Sequence, residues 1–259
     1  MAAQNDFRAK MLSMAKPAKL LRKTRLVQED RGDDPKWWTR LPVHTLTFEN
    51  PGGPGSPAME CRIDVGDVVK VVVPNVKPKS YSMSRQGDGE FEITYKYYPN
   101  GPCSSYLHSL AIGDEIQCFP KGAKKRNAGA RVGLVAFGVG ITEALPVAAA
   151  ELEKREAETV KLVWASKTWA DTFWHDEIER LLAARGDRFE VTYILSREDR
   201  DGCRRGRVDS KVLAEEFAFP GDVAGFRFLS VGTKQMMKEF DAMIQSLGYE
   251  YPAHKLFVK

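Results

Sequence analysis

Lys79-Ser80-Tyr81-Ser82-Met83-Ser84 places a cation, an aromatic ring and serine hydroxyls within six residues, directly after an apolar run and a proline turn. In extended backbone alternate side chains share a face, so Lys79, Tyr81 and Met83 point one way and Ser80, Ser82 and Ser84 the other. The set offers charge for a diphosphate, an aromatic face for a flat heterocycle and a hydroxyl for its polar edge. That is the chemistry a flavin requires; a plain polar strand end is the alternative reading. A second cluster, Gly101-Pro102-Cys103-Ser104-Ser105-Tyr106-Leu107, puts a glycine turn before a short helix, with Ser104 near its start. Backbone N–H groups at a helix start suit a pyrophosphate, and an ordinary serine cap is the alternative.

Two further glycine turns share one context. Gly138-Val139-Gly140-Ile141-Thr142 follows the apolar run Val132–Phe137 and precedes a helical stretch. Glycines there permit a tight turn and close approach of a dinucleotide to backbone amides. The turn is not a full GxGxxG, and Glu143 puts a carboxylate beside the proposed phosphate position. Val231-Gly232-Thr233-Lys234-Gln235-Met236 again reads as strand, glycine turn and helix. It is expected to form the opposite lip of the same crevice, at the carboxyl edge of an open sheet where ligands of such folds bind.

The elements that position these turns change character along the chain. Val43–Phe48, Val68–Val73, Phe91–Tyr98 and Ile116–Phe119 are short runs rich in β-branched and aromatic residues. The turn-dense loop Asn50–Pro57 and the pairs Gly66-Asp67 and Gly113-Asp114 punctuate them, a rhythm that predicts a small antiparallel barrel over about residues 40–120. After the basic connector Lys121–Ala130, buried strands at Val132–Phe137, Val160–Ala165, Phe189–Leu195 and Phe226–Val231 alternate with helices. The helices are expected at Leu145–Glu156, Thr172–Arg185, Ser210–Phe217 and Gln235–Leu247. Alternation of that kind implies βαβ units and a parallel sheet.

Composition agrees with two folded domains. Of 259 residues 43% are hydrophobic and 29% charged, enough for sizeable cores. No run approaches the roughly 20 apolar residues of a membrane span. The net charge of +4 is mild and spread, so it gives no argument for nucleic acid, and none is expected as a partner. Cys61, Cys103, Cys118 and Cys203 form no CxxC pair, and four histidines are too few for a zinc site, so free thiols are expected. Charge is uneven only at the N-terminus, where Arg8, Lys10, Lys16, Lys19, Arg22, Lys23 and Arg25 face Asp6 alone. A basic, acid-poor segment of this kind reads as a mitochondrial targeting signal, or else as a basic tail or a helix docking on a partner, with a cytoplasmic location. It is expected to add little to the stability of the fold.

The four clusters, in this order, resemble the ferredoxin reductase-like flavoprotein superfamily, and within it cytochrome b5 reductase and its relatives. The resemblance covers about residues 60–259. The Arg-x-Tyr-Ser/Thr flavin motif with a further Ser stands as Lys79-x-Tyr81-Ser82-x-Ser84, and Gly-x-x-Ser-x-x-Leu is complete in Gly101, Ser104 and Leu107. Gly-x-Gly-Ile-Thr-Pro appears as Gly138 to Glu143, and the Cys-Gly-Pro-x-x-Met turn as Val231 to Met236. Lys79, Glu143 and Val231 thus replace an arginine, a proline and a cysteine. The resemblance implies a β-barrel plus α/β architecture: residues 26–122 an antiparallel FAD-binding barrel domain, and residues 123–259 a parallel-sheet, Rossmann-like NAD(P)-binding domain. Residues 1–25 are left as a basic extension or targeting segment.

The resemblance further implies FAD and NADH or NADPH as cofactors. Hydride would pass from NAD(P)H to FAD, then electrons to an acceptor such as a haem or iron–sulfur protein. Cofactor binding falls to Lys79, Tyr81, Ser82, Ser84, Gly101, Cys103, Ser104, Gly138, Gly140, Ile141, Thr142, Gly232 and Met236, with no catalytic side chain singled out. Lys167, after the strand ending at Ala165, reads either as a contact for a 2′-phosphate or as a solvated lysine. The three replacements and the basic N-terminus motivate an alternative: a degenerate flavoprotein-like structural or regulatory subunit of a larger, mitochondrial assembly.

Overall fold

The computed structural model describes residues 13–33, 39–51, 68–87, 89–121, 125–217, 223–250 and 253–258. Arg8, Lys10, Cys61, the pair Gly66-Asp67 and most of the loop Asn50–Pro57 lie outside the described residues. The chain divides into two compact units, residues 1–123 and 124–259.

The first unit is a closed antiparallel barrel. Its strands are β1 (Lys16–Val27), β2 (Val43–Glu49), β3 (Val68–Val72), β4 (Lys79–Gly87), β5 (Glu90–Lys96) and β6 (Glu115–Lys121). They close in the order β1-β2-β5-β4-β3-β6. Alternation supplies the interior: Leu46 and Phe48 of β2, Val69 and Val71 of β3, Phe91 and Ile93 of β5, and Ile116 and Cys118 of β6 all enter the core. Helix α1 (Pro102–Ser109) lies between β5 and β6 in the chain and buries Leu107 in that core.

β1 departs from the expectation for residues 1–25. It begins at Lys16, pairs with β2 on one side and β6 on the other, and so closes the barrel. Five of the seven N-terminal cations, Lys16, Lys19, Arg22, Lys23 and Arg25, therefore belong to a barrel strand. Ala18, Leu20 and Val27 are its buried residues. Register shifts between Leu20 and Arg22 and between Arg25 and Val27 break the two-residue alternation, which is why the apolar face is hidden in the sequence. Lys23 also reaches the last carbonyls of α1, donating from Nζ to His108 and Leu110. A cation there satisfies helix-end acceptors and opposes the helix dipole.

The second unit is an open parallel sheet. Strands β7 (Lys125–Arg126) and β8 (Arg131–Phe137) precede helix α2 (Ile141–Leu152), β9 (Thr159–Ser166), helix α3 (His175–Arg185) and β10 (Phe189–Leu195). Then come β11 (Arg204–Arg205), helix α4 (Ser210–Glu216), β12 (Phe226–Val231), helix α5 (Lys234–Ser246) and β13 (Phe257–Val258). The five-stranded order is β11-β10-β9-β8-β12, with every pairing parallel. The chain steps from β8 outward through β9 and β10, then returns to the other side of β8 as β12. That reversal opens a crevice at the carboxyl ends of β8 and β12, the ligand position of doubly wound sheets.

Three details differ from the sequence reading. α2 starts at Ile141, four residues earlier than expected, and carries Pro146 within it at the cost of one backbone hydrogen bond. α3 starts at His175 rather than Thr172, because Thr168 and Asp171 form a capping box that closes a separate 3₁₀ turn, and Trp174 then takes a left-handed conformation, φ 61°. The basic connector contains β7, which pairs with β13. Its Arg126 donates from Nε to the fully buried Glu151 of α2 at 2.7 Å, and Lys154 lies 3.1 Å from the same carboxylate.

Candidate functional site

In the barrel, β4 holds the first motif. Tyr81 is half-buried against the barrel core and Met83 is fully within it, while the Ser84 hydroxyl lies 2.9 Å from that of Thr94 across on β5. The alternation expected for Lys79 to Ser84 is thus realised at Met83 and Ser84. Burial, helped by the neighbouring Cys103 thiol, holds the Tyr81 phenol far above its ordinary pKa, so it stays a neutral aromatic donor. Ser82 is half-buried on β4 beside Val68 of β3. Lys79 opens the strand, exposed, and makes no ion pair among the described residues.

The turn before α1 is built by Gly101 and Ser104. Gly101 is the helix N-cap, and a Cβ on it would lie 2.7 Å from the Ser104 hydroxyl. That hydroxyl accepts from the Tyr98 N–H at 3.1 Å and reaches the Tyr98 and Gly101 carbonyls at 2.9 and 3.1 Å. Ser104 is therefore neither a helix cap nor a free ligand: its hydroxyl is spent on shaping the turn. Pro102 has no N–H, so Cys103 and Ser104 contribute the first amides of the helix, which lack carbonyl partners behind them. Half-buried Cys103 packs against the barrel core.

In the second unit the two glycine turns meet. Gly138 to Gly140 form a 3₁₀ turn running into α2. Gly138 has φ +55° and open space where a Cβ would stand. Gly140 has none: a Cβ would lie 2.2 Å from the Val231 carbonyl oxygen. Gly232 is confined less severely, its Cβ position 2.9 Å from the Phe137 ring. Thr233 caps α5 by accepting from the Met236 N–H at 3.3 Å, and the Met236 side chain is 39% exposed above it. Ile141 is completely buried and Thr142 donates its hydroxyl proton to the Val139 carbonyl at 2.9 Å. Of these two residues only the backbone can face a ligand. Glu143 lies in the first turn of α2, half-buried, where its charge favours the helix dipole and opposes an incoming anion.

Sequence reading missed the β9 side of this unit. Trp164, fully buried, donates its indole N–H to the Gly138 carbonyl at 2.9 Å. Nearby, Trp169 stacks on His175 with ring centroids 4.3 Å apart, and the Arg200 guanidinium lies 4.5 Å from the same indole. The Trp169 N–H donates to Glu198 at 2.7 Å. Three tryptophans and a phenylalanine within Trp164–Trp174 were the available signal. Lys167 follows β9, half-buried, its carbonyl accepting from the Arg197 N–H at 2.8 Å.

Both turns suit a dinucleotide. Gly138 leaves open the space a side chain would take, at a turn that runs into the start of α2. In the barrel unit, Lys79 makes no ion pair among the described residues.

A closed antiparallel barrel carrying the first pair of motifs, joined to a parallel sheet with two glycine turns at its switch point, defines a ferredoxin reductase-like chain. The model of the oxidoreductase FAD-binding domain matches residues 51–125, and that of the oxidoreductase NAD-binding domain matches residues 134–241. The chain thus carries an oxidoreductase FAD-binding domain followed by an oxidoreductase NAD-binding domain. It is similar to NADH-cytochrome b5 reductase 1 of Mycosarcoma maydis, 29% identical over 187 residues, covering 71% of this chain and 56% of that one. It is also similar to NADH-cytochrome b5 reductase 1 of Arabidopsis thaliana, 30% identical over 180 residues, covering 67% and 63%. The chain thus spans less than two thirds of the length of these relatives. The cytochrome b5 reductase domain of Ulva prolifera nitrate reductase shares the fold, with a TM-score of 0.71 at 20% identity, over 93% of this chain and 96% of that one.

Proposed function

We propose that this chain is a flavin-dependent oxidoreductase, taking a hydride from NADH or NADPH onto FAD and passing electrons to an acceptor protein that carries a haem or an iron–sulfur centre. The contact between Gly140 and Val231 carries the reading, since it brings two glycine turns together at the sheet's switch point. The cofactors would supply the redox chemistry itself. The chain's part is to bind and orient. Lys79 and the Cys103 and Ser104 amides would hold the flavin diphosphate, and Tyr81 would lie against the ring system. Ser82 and Ser84 would offer hydroxyls to its polar edge. The amides of Gly138 to Gly140 would hold the nicotinamide dinucleotide, with Gly232 and Met236 on the opposite lip.

Glu143 supports a second reading, in which the chain keeps the fold as a structural or regulatory subunit of a larger assembly, without turnover. One preparation tests the enzyme reading. The purified chain is incubated with FAD, freed of excess by gel filtration and examined for visible flavin absorption. Retained flavin in stoichiometric amount is expected. A colourless protein after that treatment overturns the enzyme reading.

A further inference from the structure

We propose that Trp164 is a positioning residue for dinucleotide binding. Its indole N–H fixes the Gly138–Val139 peptide so that the Val139 N–H faces the ligand. The inference rests on the dinucleotide reading of this turn.

The argument starts from the peptide unit. A trans peptide is planar, with its C=O and N–H on opposite sides. Whatever fixes the Gly138 carbonyl therefore also fixes the direction of the Val139 N–H. That carbonyl accepts two hydrogen bonds, from the Ile141 N–H within the turn and from Trp164 Nε1 at 2.9 Å. The second comes from β9, a different strand, and draws the oxygen toward the buried indole. The Val139 N–H is thereby turned away from the indole.

Gly138 gives this second bond its importance. At φ +55° it occupies a region open to glycine, and with no Cβ it can rotate its peptide at little cost. The Ile141 N–H holds that carbonyl from within the turn, and a second, rigid donor from outside it narrows the range of the peptide further. Trp164 is well placed to supply it, being completely buried and edge-on to Phe173 at 5.5 Å between ring centroids. Its ring also lies 5.8 Å from that of Tyr193. Those contacts leave the indole little freedom to follow a moving carbonyl. An aromatic without an N–H would fill the space and leave the peptide free to turn.

Trp164→Phe keeps an aromatic ring against Phe173 and Tyr193 and removes the donor. The flavin-loaded native chain and variant are titrated with the oxidised dinucleotides NAD⁺ and NADP⁺, which bind without turnover. Amide hydrogen exchange is followed over residues 138–142 in both proteins with no nicotinamide dinucleotide added. The expected result is dissociation about three- to tenfold weaker, the range one buried neutral hydrogen bond supplies, with faster exchange confined to residues 138–142 and unchanged FAD retention. Equal affinity, or unchanged exchange at that turn beside a general loss of stability, would show that Trp164 only fills space. Should Trp164→Phe misfold, the benzothiophene analogue of tryptophan at position 164 has sulfur in place of N–H and the same ring shape, and the same two outcomes apply. Failure of the native chain to bind either dinucleotide removes the dinucleotide reading and this inference with it.

Discussion

Gly140 touches the end of β12 so closely that a Cβ on it would lie 2.2 Å from the Val231 carbonyl oxygen and 3.2 Å from the Val231 Cβ. No real side chain fits at that distance, and the nearest atom is backbone, which cannot swing aside. The contact locks the start of α2 against the neighbouring strand and sets the width of the crevice. Gly140→Ala must push the two turns apart. Overpacking of this kind costs roughly 1–3 kcal/mol. The expected outcome is a lowered melting temperature together with lost NAD(P)H binding, measured by thermal unfolding and by titration, while FAD retention by the barrel persists.

Lys79 is expected to act through charge. Its ammonium would hold one anionic oxygen as a point charge, whereas a guanidinium would grip two. Lys79→Ala should weaken FAD retention by about 1.5–3 kcal/mol, the worth of a charged hydrogen bond. Lys79→Arg should match or exceed the native affinity. Fluorescence titration of the flavin-free chain with FAD reads both, and an Ala variant that binds FAD like the native chain would remove Lys79 from the site.

His44 makes the barrel sensitive to acid. It is 7% exposed, has no hydrogen-bond partner on either ring nitrogen among the described residues, and lies 5.1 Å from the His108 ring and 5.8 Å from the Tyr95 ring. Burial first, then the charges of His108, Lys23 and Arg25, lower its pKa from 6.5 to about 4. His108, stacked on Tyr97, is lowered by burial as well. In the window between about 6.5 and about 4 the unfolded chain takes up a proton that the folded chain refuses. This part of the stability is therefore complete above that window and drains away as the pH falls through it. Melting temperatures measured across the window should fall with acid in the native chain and fall less steeply in His44→Phe. Parallel curves would show that His44 does not set the slope.

β1 predicts a sharp boundary for N-terminal deletion. Removing residues 1–15 leaves the strand whole. Removing residues 1–27 takes away the strand between β2 and β6, with buried Ala18, Leu20 and Val27, and leaves two open edges. The shorter deletion should unfold at nearly the native temperature, and the longer should fail to yield folded protein. A folded product of the longer deletion would contradict the barrel closure.

What the sequence disclosed follows from how local each signal is. The buried strands of the parallel sheet, Val132–Phe137 and Val160–Ala165 among them, were legible because continuous apolar runs need no partner to be recognised. The glycine turns were legible because Gly138 and Gly140 stand between such a run and a helix. β1 was not, because its two register shifts scatter the apolar positions and its exposed face is lysine and arginine. The helix start at Ile141 was masked by Pro146. The bonds of the Ser104 hydroxyl to Tyr98 and Gly101 were not legible, since a serine near a helix start reads as a cap or a ligand. The Trp164 bond joins residues 26 apart in the chain, and no spacing rule reveals such a pair.

The central claim is that the chain takes hydride from a nicotinamide onto a bound flavin. Mixing the FAD-loaded protein anaerobically with NADH, and separately with NADPH, in a stopped-flow spectrometer tests it directly. The account predicts that the visible flavin absorption bleaches with at least one of them, at a rate that saturates with its concentration. Flavin that stays oxidised with both, in a chain that retains FAD, would contradict it.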